Sequence, residues 1–274
     1  MSQPRFLLFG QHISVECETD EAARLIGAVY RAFAEPESPD PGAPALVYGI
    51  IDGLGGALAV VRGTAEVAHA ADSGLLLFHF EQDLTVELQK RRPDLYFLHA
   101  AALERDGRAL LLVAESGGGK STLTWGLLHH GFRYASDELA PIDLEAVLVH
   151  GFPHALCLKA DPPAPYSLPA GALRTSRSRH VPVDLLPAAL APCPLPLDAI
   201  VFLRYRPDLA EPAIRPMGAA EAAARLYVQA LNPLAHPEDG LDAALQVARR
   251  ARCYGLEAAG LGATCALVVR TLFG

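Results

Sequence analysis

The chain has 274 residues, of which 51% are hydrophobic and 20% charged, enough apolar material for one large domain or two small ones and evidence against disorder. The formal net charge of -8 offers no basic field that would hold a polyanion, so nucleic acid is a poor candidate for the partner. The five cysteines form no CxxC pair and their odd number argues against a disulfide framework, so a reducing compartment fits best.

Residues 1–92 predict a small α+β portion. Short apolar runs bounded by glycine and proline indicate strands, and apolar residues at helical spacing indicate helices. In chain order the predicted elements are a strand pair within 6–18 interrupted at Gly10, a helix capped by Asp20 that stops before Pro36, a proline-rich loop at 35–44, an antiparallel meander of strands at 45–52, 57–62 and 64–70, and a helix capped by Asp72 or Ser73.

Residues 93–274 predict a nucleotide-binding domain. A strand, a glycine-rich loop, a helix and a further strand follow each other at its start, and proline-rich segments predict long loops in its middle. The predicted elements are strands at 96–104 and 108–113, helix 120–130, strand 132–136, loops at 162–169 and 187–196, strand 199–205, a helix from 218 or 219 to 231, helix 241–250, strand 253–258 and a last helix to 272.

No stretch of the sequence is suited to a membrane. The longest apolar runs, such as residues 109–114, are far shorter than the roughly 20 residues that cross a bilayer. The amino terminus lacks a basic region followed by a long apolar stretch and a cleavage site. We therefore expect a cytoplasmic protein without membrane contact.

The segment AESGGGKS at residues 114–121 matches the phosphate-loop pattern, with Ala114 in place of the first glycine. Backbone N–H groups of such a loop point at a phosphate at the start of a helix, and a lysine adds positive charge. A glycine-rich turn before a helix is the alternative, but the strand-then-helix context favours the phosphate loop. The candidate ATP-binding residues are Ser116, Gly117, Gly118, Gly119, Lys120, Ser121 and Thr122, with the Ser121 hydroxyl on Mg²⁺.

Two adjacent carboxylates follow the next predicted strand. Asp137 and Glu138 end the run from residue 132, where one carboxylate could hold Mg²⁺ and the other accept the proton of an attacking hydroxyl. The alternative is a solvated turn before Pro141. His99 lies in a small apolar strand upstream of the loop, where a lone histidine is more often an interior residue than a catalytic one.

The segments LHAA at 98–101, ESGGGKSTL at 115–123, GFR at 131–133 and SDE at 136–138 resemble the HPr kinase/phosphorylase family. The likeness is closest to bacterial HPr kinase-related proteins, whose nucleotide core is similar to that of ATP-dependent phosphoenolpyruvate carboxykinases, and it covers about residues 96–143. It implies a P-loop kinase core with a mixed β-sheet flanked by helices, an active-site role for His99, Mg²⁺ contact for Asp137, and base or Mg²⁺ duty for Asp137 or Glu138.

The resemblance also narrows the expected reaction. The family usually has aspartate where this chain has Glu138, and the carboxy-terminal signature of its bifunctional members is absent from residues 153–196. Kinase activity without phosphorolysis is therefore the expectation, with HPr a poor substrate. Related kinases without that signature occur beside genes for modified peptides, which implies a peptide or protein substrate, a ribosomally made precursor peptide among the candidates.

The leading prediction is an ATP-dependent kinase that transfers the terminal phosphoryl group to a hydroxyl, as a monomer or a homo-oligomer. The alternatives are an ATP-dependent switch, a kinase of a small-molecule hydroxyl and, less favoured for so short a chain, a carboxykinase-like enzyme. A polar stretch with Arg174, Arg177, Arg179 and His180 predicts a flap for phosphates or an acidic substrate. Further candidates for contact with the transferred charge are Arg133, Arg204 and Arg206.

Overall fold

The computed structural model describes residues 3–36, 43–53 and 57–274. Within these ranges the N-terminal portion is a sheet of five strands in sequential order, packed against two helices. Its elements are β1 (Arg5–Leu8), β2 (Gln11–Cys17), α1 (Asp20–Val29), β3 (Leu46–Asp52), β4 (Leu58–Arg62), β5 (Ala65–Ala70) and α2 (Ser73–Arg91).

The N-terminal predictions are largely confirmed. Gly10 adopts φ +77° in the turn between β1 and β2, a backbone conformation that favours glycine. The strands β3, β4 and β5 form the predicted antiparallel meander, and Asp72 caps α2 by accepting a 2.8 Å hydrogen bond from the Leu75 N–H. The cap of α1 was predicted one residue late, because the Thr19 hydroxyl accepts from the Ala22 N–H. The predicted loop at 35–44 falls largely on residues 37–42, which lie outside the described residues.

The rest of the chain forms a large mixed sheet, a small sheet and four longer helices within the described ranges. The strands are β6 (Leu95–Leu98), β7 (Ala101–Arg105), β8 (Arg108–Val113), β9 (Arg133–Ser136), β10 (Ala140–Asp143), β11 (Leu148–Val149), β12 (Leu156–Leu158), β13 (Leu173–Arg174), β14 (Arg179–Val181), β15 (Leu195–Tyr205), β16 (Ala213–Pro216) and β17 (Arg252–Ala258). The helices are α3 (Lys120–Leu128), α4 (Ala219–Val228), α5 (Leu241–Arg250) and α6 (Leu261–Phe273).

Helices cover both faces of the large sheet, which makes the protein a mixed α/β structure. Leu111 and Val113 of β8 belong to an apolar cluster that contains α4 and α5 residues, whereas Leu110 and Leu112 belong to a cluster with α3 and α6. A strand buried on both faces carries a continuous apolar run instead of an alternating one, which explains the sequence of β8.

Three parts of the prediction were wrong in detail. The strand predicted at 96–104 is two strands, because the chain turns at His99 and Ala100 so that β6 pairs with β10 while β7 pairs with β8 and β9. The middle region is not only loops, since β12, β14 and β13 form a three-stranded sheet that holds Arg179 and His180 in a strand. The long strand β15 starts at Leu195, inside the predicted loop 187–196.

The apolar cluster of the N-terminal portion extends past the predicted boundary at 92/93. Phe97, Leu139, Phe152 and Ala155 lie in the same buried cluster as residues of β1 to β4 and both N-terminal helices. The N-terminal portion therefore packs directly on the elements that carry the candidate site. None of the helices in the described parts of the chain has the length and apolarity needed to span a membrane.

Candidate active site

The predicted site residues meet because of the strand directions. β8 and β9 both pair antiparallel with β7, so they run the same way and end at the same edge of the sheet. The loop at 114–119 follows β8, and Asp137 and Glu138 follow β9. His99 lies just before β7, which starts at that edge. Loops at the carboxyl ends of parallel strands are where ligands bind in open α/β sheets.

The glycine-rich loop has the backbone shape of a phosphate cradle. Gly117 and Gly119 adopt φ +82° and +95°, values that a side chain would strain. A Cβ on Gly118 would lie 3.0 Å from the Glu115 carbonyl oxygen and 3.1 Å from the Ala114 Cβ. Gly119 stands immediately before α3, so the loop opens onto a helix N-terminus, where N–H groups and the helix dipole favour anions.

Lys120 is 7% exposed and connects the loop to the acidic pair. Its ammonium donates to the backbone carbonyl of Asp137 and lies 3.5 Å from the Glu138 Oε2 and 4.0 Å from the Asp137 Oδ1. A buried ammonium is costly unless it is paired, and two carboxylates and a carbonyl supply that pairing. A phosphate in the loop would compete for the same ammonium.

Asp137 is fully buried, and only one of its two carboxylate oxygens has a hydrogen-bond partner among the described residues. Its Oδ2 accepts a 3.2 Å hydrogen bond from the Cys157 N–H, whereas its Oδ1 has no hydrogen-bond partner among the described residues. Burial raises the pKa of Asp137, and the negative charge of Glu138 adds to the rise, while Lys120 and the nearby Ser121 hydroxyl oppose it. An unpartnered buried carboxylate oxygen facing a lysine and a hydroxyl is suited to bind a cation or water.

Glu138 is more open than Asp137 and is hydrogen-bonded to His99. Its Oε2 lies 3.0 Å from the His99 Nε2, and the His99 Nδ1 lies 3.2 Å from the Gln229 Oε1. Burial favours a raised pKa for Glu138, but the hydrogen bond from His99 and the charge of Lys120 outweigh burial and lower the pKa to about 2. Glu138 is therefore ionised at neutral pH, and Gln229 holds the histidine ring that bonds to it.

The residues at this edge fit a magnesium ion that is shared with a ligand. In the described parts of the chain no three His, Cys, Asp or Glu side chains form a cluster that could hold a metal by themselves. The Asp137 Oδ1, the half-buried Ser121 hydroxyl and Glu138 are hard oxygen donors, the type that Mg²⁺ prefers. Mg²⁺ is usually held by one or two carboxylates plus water and phosphate oxygens, so this donor set suits it.

Lys159 belongs to the site but the sequence reasoning missed it. Its ammonium donates a 2.7 Å hydrogen bond to the Ser116 hydroxyl of the glycine loop. Lys159 follows β12 in the small sheet, where no element was predicted. The chain has three lysines beside many arginines, and that scarcity was the available signal.

Two cavities meet at the glycine loop. The first, of about 900 Å³, is lined by residues 113–118, by the end of β15 and by α4. The second, of about 510 Å³, lies between α2 and the small sheet and is lined also by His99, Ser116 and Glu138. Ser116 is common to both, while His99 and Glu138 line the second only.

The structure separates the predicted arginines. Arg204 lines the first cavity and Arg177 the second. Arg174 pairs with Asp161, and Arg206 pairs with Asp208. Arg133 pairs with Glu104 at the opposite end of β9 from Asp137, so it does not reach the loop.

No family model matches this chain, and a search of curated proteins returns no significant match. The chemistry of the site is therefore argued from its own residues.

Proposed function

We propose that this protein is an ATP-dependent kinase with a P-loop core of the HPr kinase and phosphoenolpyruvate carboxykinase type, which transfers the terminal phosphoryl group of ATP to a hydroxyl of a peptide or protein. One observation carries the proposal: Lys120, the two carboxylates and His99 are in mutual contact at the end of a glycine loop whose Ser116 lines two cavities. Transfer between two substrates requires such an arrangement.

The first cavity suits the nucleotide. It is lined by the glycine loop and by Phe202 and Arg225, with the Arg225 guanidinium 5.9 Å from the centre of the Phe202 ring. A volume of about 900 Å³ is in the range of cofactor sites. The phosphates of ATP would then bind the loop N–H groups, Lys120 and Thr122, and the adenine and ribose would lie towards α4.

Mg²⁺ would neutralise charge on the outer phosphates. Ser121, Asp137 and water would hold it, with Glu138 as a further donor. Lys120 contributes a second positive charge and holds Asp137 by its main-chain carbonyl. Lys159 donates to the Ser116 hydroxyl of the glycine loop, and we expect its ammonium to contact the transferred group. Preorganised cations at the point where charge develops usually make the largest contribution to such transfers.

Glu138 and His99 are the proposed groups for handling the acceptor proton. Glu138 is ionised, its Oε2 lies 3.0 Å from the His99 Nε2, and both residues line the second cavity. Once Lys120 turns to the phosphates, one of the effects that lower the pKa of Glu138 is weakened, so the carboxylate becomes a better base. Gln229 keeps the His99 ring aligned throughout.

Acceptor-free turnover tests the proposal. The wild type should bind ATP with Mg²⁺ and release ADP slowly to water, the Glu138→Gln variant should bind ATP but lose ADP release, and the Glu145→Gln variant, altered at an exposed glutamate away from the loop, should behave as wild type. ATP binding without any ADP release or phosphoryl transfer by the wild type would contradict the kinase assignment and favour an ATP-dependent switch.

A further inference from the structure

We infer that the second cavity is the acceptor site, and that it takes an extended peptide segment in which an acidic residue and an apolar residue flank the hydroxyl that is phosphorylated. This inference rests on the kinase function proposed above. It assigns the N-terminal portion a role in substrate recognition, because α2 forms one wall of the cavity.

The position of the cavity relative to the reacting groups gives the first argument. Glu138 and His99 line it but do not line the glycine-loop cavity, and Ser116 lines both. A hydroxyl bound in the second cavity therefore lies beside the proposed base, and Ser116 joins that cavity to the proposed phosphate site. In-line transfer needs the acceptor and the leaving group on opposite sides of the phosphoryl group.

The charge of the cavity gives the second argument. Its two carboxylates are already neutralised, Glu81 by His154 at 2.8 Å and Glu138 by His99 and Lys120. In the described parts of the chain, the guanidinium of Arg177 forms no ion pair, whereas its neighbours Arg174 and Arg179 both pair with Asp161 outside the cavity. Lys159 also lines the cavity, but its ammonium donates to the Ser116 hydroxyl of the glycine loop. Arg177 is therefore the cation that is left for an acidic residue of the acceptor.

The turn that carries Arg177 is fixed against the wall formed by α2. The Ser176 hydroxyl donates a 2.8 Å hydrogen bond to the Asp72 carboxylate, and a Cβ on Gly74 would lie only 3.0 Å from the Thr175 hydroxyl. Ser178, next to Arg177, is 2.7 Å from the ring of the buried His180. Arg177 is therefore presented from an anchored turn, which reduces the entropy cost of binding.

The apolar wall gives the third argument, since it offers a separate contact to the same acceptor. Phe78 of α2 is 52% exposed although it is a large aromatic residue, and Leu77 lies beside it in the wall. Leu231 adds a second exposed apolar side chain. Successive side chains of an extended segment point to opposite sides, so a peptide can place an apolar residue on one wall and an acidic residue on another.

A peptide library tests the inference directly. The probe is a positional-scanning set of acetylated and amidated octapeptides with one central serine, incubated with the full chain, ATP and Mg²⁺, with phosphate incorporation as the readout. The wild type should prefer Asp or Glu over Asn or Gln at one position and an apolar residue at another. The Arg177→Gln variant should lose about tenfold or more of its kcat/KM for acidic peptides and keep its kcat/KM for the amide analogues.

Matched variants exclude a general loss of structure. Arg174→Gln removes an exposed arginine of the same stretch that does not line the cavity, and it should keep the acidic preference. Phe78→Ala should lose the apolar preference, whereas Val86→Ala, which also truncates an exposed apolar residue of α2, should keep it.

Each outcome decides the inference. No ATP binding by the wild type would overturn the proposed function and the inference together. ATP binding with no peptide phosphorylated, or with an acidic preference that Arg177→Gln leaves unchanged, would overturn the acceptor assignment and leave nucleotide binding intact.

Discussion

The buried pair of His154 and Glu81 connects the small sheet region to α2, and its contribution to stability should depend on pH. The His154 Nε2 lies 2.8 Å from the Glu81 Oε1, and the His154 side chain is 1% exposed. Burial favours a lowered pKa for His154, but Glu81, with Asp137 and Glu138 nearby, outweighs burial and raises the pKa from 6.5 to about 8. The histidine is therefore largely charged at neutral pH.

The direction of the pH effect follows from that rise. A group whose pKa is higher in the folded protein stabilises it fully below the unfolded pKa of 6.5, and the contribution is lost as the pH rises through about 8. A rise of this size corresponds to about 2 kcal/mol. In Glu81→Gln the main cause of the rise is gone, so the variant should be less stable than wild type by about 2 kcal/mol at pH 6 and nearly equal to it above pH ~9.

Urea unfolding of wild type and Glu81→Gln at a series of pH values measures this difference. The matched control is Glu66→Gln, which removes the carboxylate from a His–Glu pair at 3.0 Å whose two side chains are more than half exposed, so its effect should be small at every pH. A Glu81→Gln difference that stays constant from pH 6 to pH ~9 would refute the assignment of a charged His154.

Three further predictions concern the glycine loop, Lys159, which contacts that loop, and the helix α3, which follows it. Gly118→Ala should weaken ATP binding about tenfold or more, because its Cβ would lie 3.0 Å from the Glu115 carbonyl; isothermal titration measures this, and unchanged affinity would contradict the cradle geometry. Lys159→Met should lower kcat for ADP release about tenfold with ATP affinity altered much less, and an unchanged kcat would exclude Lys159 from the reaction. Gly126→Val should destabilise the protein by about 2 kcal/mol in urea unfolding, because a Cβ would meet the Cys265 Sγ at 2.7 Å, and Cys265→Ala should restore part of the loss; equal stability would show that α3 and α6 can separate.

Sequence patterns over a few neighbouring residues were sufficient to predict many of the main strands and helices. The apolar run of β8, the glycines of the loop and the spacing in α2 each depend on neighbours in sequence, so the strand, loop and helix were predicted close to their observed bounds. Asp137 and Glu138 were correctly expected at the end of a strand near the loop, because the strand order of such a unit brings both ends to one edge.

The features that the sequence did not predict depend on long-range pairing. Strands β12, β13 and β14 have two or three residues each, too few to show a periodic pattern, so the small sheet was taken for loops. Lys159 reaches Ser116 only because that sheet packs against the glycine loop. The break at His99 was missed because β6 and the first three residues of β7 form one nearly continuous apolar run, and only the different partners of β6 and β7 reveal two strands.

Isothermal titration of ATP with Mg²⁺ tests the central claim most directly. The wild type should bind ATP, Lys120→Ala should lose binding because the buried ammonium at the loop is gone, and Lys90→Ala, at an exposed lysine of α2, should bind as wild type. Binding that Lys120→Ala leaves unchanged, or no binding by the wild type, would contradict the assignment of residues 114–122 as a nucleotide site.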